Sequence, residues 1–126
     1  MAQDQPLVVA DLLEAFQAYE RALVDHDLVA MADAFADDEQ LVRFGIADRQ
    51  RGATELARWR AAQAPLPAER RLFETVVRTW GENFGVVTTC FSYPGRPFVG
   101  RQSQTWVRID GTWRIVSAHV SEIPEP

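Results

Sequence analysis

Three side chains in this chain combine reactive chemistry with a position that faces an interior: Tyr19, Arg43 and His119. Tyr19 falls in step with Leu12, Phe16 and Leu23 on the apolar stripe of a helical segment. A phenol there either packs its ring and hydrogen-bonds within the core, or offers its hydroxyl to a substrate carbonyl or leaving nitrogen. Arg43 interrupts the apolar run Leu41-Val42-Arg43-Phe44. Pointing outward it is a solvated strand arginine. Pointing inward its charge needs a partner, and the planar fork of a guanidinium suits a carboxylate ligand. His119 shares a predicted strand face with Gln102, Gln104 and Ser117, where it is either a hydrogen-bonded structural residue or an orienting group. Trp59, Gln104, His119 and Ser121 form the candidate substrate-binding set, with Trp59 beside Arg60. Glu20, next to Tyr19, reads as a rim or salt-bridge residue.

Other chemistries have no residues to carry them. All thirteen basic residues are arginines, so a lysine Schiff base and a lysine general base are excluded. Two distant histidines and the single Cys90 offer no ligand spacing, and Asp37, Asp38 and Glu39 are adjacent rather than spaced as in a calcium loop. Neither a metal nor a cofactor is expected. Phosphate-binding loops, dinucleotide fingerprints and nucleophile triads are absent from the sequence. Cys90, inside an apolar strand, reads as a small core residue.

The elements that must hold the candidates follow from periodicity. Residues 7–25 and 28–36 read as helices, 41–44 as a short strand leading into a polar connection, and 53–64 as a third helix ended by Pro65 and Pro67. The second half turns to β-branched, period-two sequence, with strands at about 71–80, 84–93, 98–109 and 112–121. Asp110-Gly111 between the last two predicts a two-residue hairpin pairing Ile109 with Thr112 and Trp106 with Ile115. Continued without interruption, that phase sets Gln104 opposite Ser117 and Gln102 opposite His119, on one face with Ser121. Ala118 and Val120 then fall on the other face. A bulge would invert everything beyond it. Helices followed by an antiparallel meander make an α+β domain, a curved sheet wrapped around helices to enclose a pocket.

Length and charge fit this picture. A chain of 126 residues suits one domain, residues 1–126, with a core of its own. A net charge of −5 argues against a nucleic-acid partner. No apolar run reaches the roughly 18 residues of a membrane span. The start lacks the basic cluster of a secretory signal, so a cytoplasmic location is expected.

The segments from Gly100 to Arg108 and from Trp113 to Ser121 resemble the cone-shaped nuclear-transport-factor-2-like superfamily. Within it, Ala15 to Leu23 and Val42-Arg43-Phe44-Gly45 are similar to the AtzH-like group, which includes the oxalurate-catabolism protein HpxZ. The resemblance covers nearly the whole chain. It implies a pocketed cone, usually a homodimer, and a decarboxylating amidohydrolase converting dicarboxyurea to allophanate, with Tyr19 and Arg43 acting in the pocket. The last strands also resemble the association domain of calmodulin-dependent kinase.

Two functions follow as expectations. The first is a metal-independent enzyme on a small anionic carboxylated urea or ureido acid, with Arg43 on a carboxylate and Tyr19 as proton donor. The second is a non-catalytic carboxylate-binding or oligomerisation module, its outer sheet face (Val107, Val116, Val120) dimerising or supporting a partner amidase. A weaker third is an isomerase or dehydratase using His119, which needs an acidic partner such as Glu20 or Glu74.

Overall fold

A computed structural model describes residues 1–125. Helix α1 (Pro6–Asp25) is followed by α2 (Leu28–Asp33), strands β1 (Val42–Phe44) and β2 (Arg49–Arg51), and α3 (Ala53–Ala61). Strands β3 (Arg71–Trp80), β4 (Phe84–Ser92), β5 (Phe98–Ile109) and β6 (Thr112–Pro124) complete the chain. All six strands form one sheet in the order β2-β1-β6-β5-β4-β3. Its pairings are antiparallel except β1 on β6, which is parallel. The expected α+β architecture is what the chain adopts.

Local chemistry accounts for the helix boundaries. Pro6 opens α1 at a position where its missing N–H costs nothing. His26 closes it in the left-handed conformation, its N–H bonded to the Ala22 carbonyl. Asp27 caps α2 by accepting from the Ala30 N–H at 3.1 Å. The inner stripe of α1, with Leu12, Phe16, Tyr19 and Leu23, packs in one core with Val87, Trp106, Trp113 and Ile115 of the sheet. Asp11 ties the outer side of α1 to β5 and β6, accepting from Arg108 at 2.9 Å and from the Trp113 indole at 3.3 Å. Helix α1 is thereby held across the concave face of the sheet, with Tyr19 buried beneath it.

Two differences from the expected elements bear on the site. The polar connection after β1 contains strand β2, which pairs Gln50 with Arg43. Arg49-Gln50-Arg51 has no apolar alternation to announce it; one buried glutamine between exposed arginines forms the inner face.

The second difference lies in the last hairpin. Asp110 and Gly111 both take positive φ, and Ile109 pairs with Thr112 and Trp106 with Ile115, as the turn chemistry requires. One residue on, Thr105 pairs with Ser117 rather than Val116. This bulge inverts the phase: Gln104 now faces Ala118, Gln102 faces Val120, and Ser103 faces His119. Ala118 and Val120 therefore point to the concave side. His119 and Ser121 move to the convex side.

Candidate functional site

The concave side of the sheet, α1 and α3 enclose a cavity of about 240 Å³. Tyr19, Arg43, Trp59 and Gln104 all line it. His119 and Ser121 do not. His119 is exposed on the convex face, its ring edge-on to Phe44 at 5.5 Å, and Ser121 Oγ accepts from exposed Arg101 at 3.2 Å. The bulge at Val116 is the physical reason for both corrections, and it brings Ala118 and Val120 in to line the cavity instead.

Arg43 occupies the middle of β1, opposite Gln50 on β2 and Ala118 on β6. Three side chains directly across from one another share a face, and the small Ala118 leaves room for the guanidinium. Arg43 is only 9% exposed. Its Nη1 donates to Asp48 Oδ1 at 2.9 Å and Gln50 Oε1 at 3.0 Å, and Gln50 donates onward to Asp48 at 2.8 Å. Its Nε and Nη2 make no hydrogen bond among the described residues. The guanidinium carbon sits 4.8 Å from the centroid of the Trp59 ring. Burial, then repulsion from Arg60, holds the Arg43 pKa below the ordinary guanidinium value, against the opposing pull of Tyr19 and Asp48.

Arg60, near the end of α3, supplies the second cation. Its Nη2 donates to Tyr19 Oη at 2.7 Å, and it packs between the Tyr19 and Trp59 rings. Among the described residues it has no carboxylate partner. Tyr19 sits edge-on to Phe35, with ring centroids 5.7 Å apart, which fixes the phenol at the cavity wall. Because the hydroxyl oxygen already accepts from Arg60, its own proton is free to be donated elsewhere. Gln104 is oriented in a similar way. Its Oε1 accepts from the Trp106 indole at 3.0 Å, which turns its NH₂ group towards the cavity as a donor.

A further network closes the cavity at the α1–β5 side. Glu20 accepts from Arg70 Nε at 2.9 Å and from Gln102 Nε2 at 2.9 Å. Arg70 also donates to Gln102 Oε1 at 3.0 Å and to Tyr93 Oη at 2.9 Å, and stacks 4.2 Å from the Phe91 ring centroid. Burial works against the Arg70 charge, but Glu20 and then Tyr93 outweigh it and its pKa lies above the ordinary value. Of the two readings its position offered, rim or salt bridge, Glu20 is the salt-bridge residue, and it is buried. At the mouth Arg96 pairs with Glu122 at 3.0 Å.

Asp48, Gln50, Arg70 and Tyr93 are site residues that sequence reasoning missed. Arg70 lies in a charged Glu-Arg-Arg run that reads as solvated, and Tyr93 precedes a Pro-Gly turn. Only contacts 23 to 50 residues away, such as Arg70 with Tyr93 and Glu20, give them roles. Among the described residues no group of three His, Cys, Asp or Glu side chains is placed to hold a metal, and no helix is long and apolar enough to cross a membrane.

The fold recurs along the whole length of the chain in solved structures. A cystatin-like fold protein from Burkholderia xenovorans is 44% identical, with a TM-score of 0.96 over 100% of this chain and 99% of that one. A protein of unknown function from Pectobacterium atrosepticum is 38% identical, with a TM-score of 0.92 over 96% and 94% of the two chains. A putative ketosteroid isomerase from Parabacteroides distasonis shares the fold at 20% identity and a TM-score of 0.71, over 86% and 84%. No functionally curated protein matches the chain. A nuclear-transport-factor-2-like protein from Pseudomonas putida, 15% identical with a TM-score of 0.79 over 93% and 87% of the two chains, places the architecture in that fold class. The AtzH-like family model matches residues 1–126 from end to end, and this chain belongs to the AtzH-like family.

Proposed function

We propose that the chain is an enzyme acting on a small carboxylated urea or ureido acid, by decarboxylation of the dicarboxyurea-to-allophanate type. One observation supports this above the others. The groups left unengaged in the cavity are rich in donors and cations: Arg43 Nε and Nη2, Arg60, the Gln104 NH₂ and the Tyr19 proton, beside the His26 imidazole and the Gln63 amide oxygen. The acids in its wall, Asp48 and Glu122, already serve arginines. A compact anion rich in acceptor oxygens is the complement of such a site.

The chemistry needed is modest. Arg43 forks onto the carboxylate that the product keeps, and Gln104 donates to the urea carbonyl. The N-carboxylate that departs loses its water shell against Trp59 and Phe35. As the C–N bond breaks, its electron pair returns to nitrogen, nitrogen takes the Tyr19 proton, and carbon dioxide leaves. Arg60, 2.7 Å from the phenol oxygen, stabilises the phenolate that forms until solvent returns the proton.

A second reading is a carboxylate-binding module that assists a partner amidase. It is favoured by the cavity's carboxylates, Asp48 and Glu122, each being paired with an arginine rather than free to act as a base. Release of carbon dioxide from freshly generated dicarboxyurea separates the two: turnover supports the enzyme, and saturable binding without turnover supports the module.

A further inference from the structure

The chain has two tyrosines, and both line the same cavity. Each phenol oxygen accepts from an arginine: Tyr19 from Arg60 at 2.7 Å, Tyr93 from Arg70 at 2.9 Å. The second couple is the more firmly built. The Arg70 side chain is 4% exposed and has three separate acceptors, Glu20, Gln102 and Tyr93. Its face is covered by Phe91, whose own ring lies over Gly100, where any Cβ would collide with it. Arg70 has no fork left for a ligand. Its arrangement instead fixes the position of one atom, Tyr93 Oη.

Tyr93 is further held by its ring. Phe91 meets it edge-on at 5.9 Å, and the Arg96 guanidinium, anchored by Glu122, lies 5.5 Å from its centroid. A phenol oxygen that accepts from Arg70 keeps its own proton for another acceptor. A surface tyrosine on a turn needs no such scaffold. Three side chains, Arg70, Phe91 and Arg96, hold this one against a cavity rich in free donors.

We infer that Tyr93 is a specificity-determining residue, a second hydroxyl donor that binds a carbonyl of the ligand other than the carboxylate taken by the Arg43 and Arg60 cations. Glu20 and Arg70 are its positioning residues. This rests on the anionic ureido-acid reading above and narrows it to ligands that carry an acceptor at both ends. A short anion fills only the Arg43 end. A longer ureido acid also reaches Tyr93.

The test is calorimetric binding of two anions that share one end, oxalurate and the shorter oxamate, to wild type and Tyr93→Phe. The substitution removes one oxygen and keeps the ring, and thermal melting checks that the fold persists. The expected result is about tenfold weaker oxalurate binding with oxamate binding unchanged, the size of a single lost hydrogen bond. Equal weakening of both anions would mean that Tyr93 only supports the fold, and unchanged oxalurate binding would mean that it does not touch the ligand. Either result overturns the assignment while leaving the anion site intact. Failure of wild type to bind either anion overturns the ureido-acid reading and this assignment with it.

Discussion

The Tyr19 hydroxyl and the Arg60 guanidinium are joined by a 2.7 Å hydrogen bond in which the arginine donates. That direction sets what each residue can do. Tyr19 is left with a proton to give and a cation beside the oxygen that gives it. Arg60 is left with its charge uncompensated by any carboxylate among the described residues, and it shares the Trp59 ring with Arg43. Two cations at one ring, only one of them paired with an acid, define a site that gains stability from an added anion.

Arg43→Ala is expected to reduce turnover of dicarboxyurea at least about 100-fold, the scale of losing a charge-bearing donor aimed at the reacting group. Arg43→Lys should recover only part of this, because an ammonium cannot reach Asp48, Gln50 and a carboxylate in one plane. Steady-state rates for both variants check it, with circular dichroism to show that the fold is kept. Equal activity of Arg43→Ala and wild type would remove Arg43 from the mechanism.

His119→Ala and Ser121→Ala are expected to turn over substrate within about twofold of wild type, since surface substitutions away from special features change little. Both side chains lie beyond the bulge on the convex face. A large loss in either would show that the strand runs without the bulge. Gln104→Leu provides the contrast: it keeps the bulk, removes the inward amide, and should raise KM.

Asp4 gives a pH signature at the far edge of the sheet. Its carboxylate accepts from the Thr79 N–H at 2.9 Å and pairs with Arg78. The Thr79 bond chiefly, with Arg78, holds its pKa below the ordinary 3.8, despite an opposing contribution from burial. A depressed folded-state pKa contributes stability that is fully present above 3.8 and is lost as pH falls through the lower, folded value. Asp4→Asn should therefore melt below wild type at neutral pH, and the gap should close on acidification below 3.8. A gap that persists unchanged at low pH would mean that ionisation of Asp4 is not what secures the N-terminal segment to β3.

Some of this site was legible in the sequence, and the reasons are local. Tyr19 was placed inward by helical spacing with Phe16 and Leu23, and the hairpin was placed by Asp110-Gly111, because both signals act within a few residues. Arg43 announced itself as a charge in an apolar strand, but its direction was settled only by Gln50 and Ala118 on neighbouring strands. The inward turn of Gln104 held because its own strand keeps phase with Trp106. His119 and Ser121 lie outside the cavity because the apolar alternation of Trp113 and Ile115 changes phase at the adjacent pair Ile115-Val116 and continues with Ala118 and Val120, and that local break is where β6 bulges. Glu20, Arg70 and Tyr93 come from three separate segments, and no local pattern links them.

The most direct measurement is carbon dioxide release from freshly generated dicarboxyurea by wild type and Tyr19→Phe. Phenylalanine keeps the ring packed on Phe35 and removes only the proton donor. The account predicts turnover by wild type and a loss of about 100- to 10,000-fold in the variant, the range for removing a general acid. Turnover that survives the substitution would contradict the role of Tyr19 as proton donor. No turnover by folded wild type would contradict the decarboxylation itself and leave the anion-binding module.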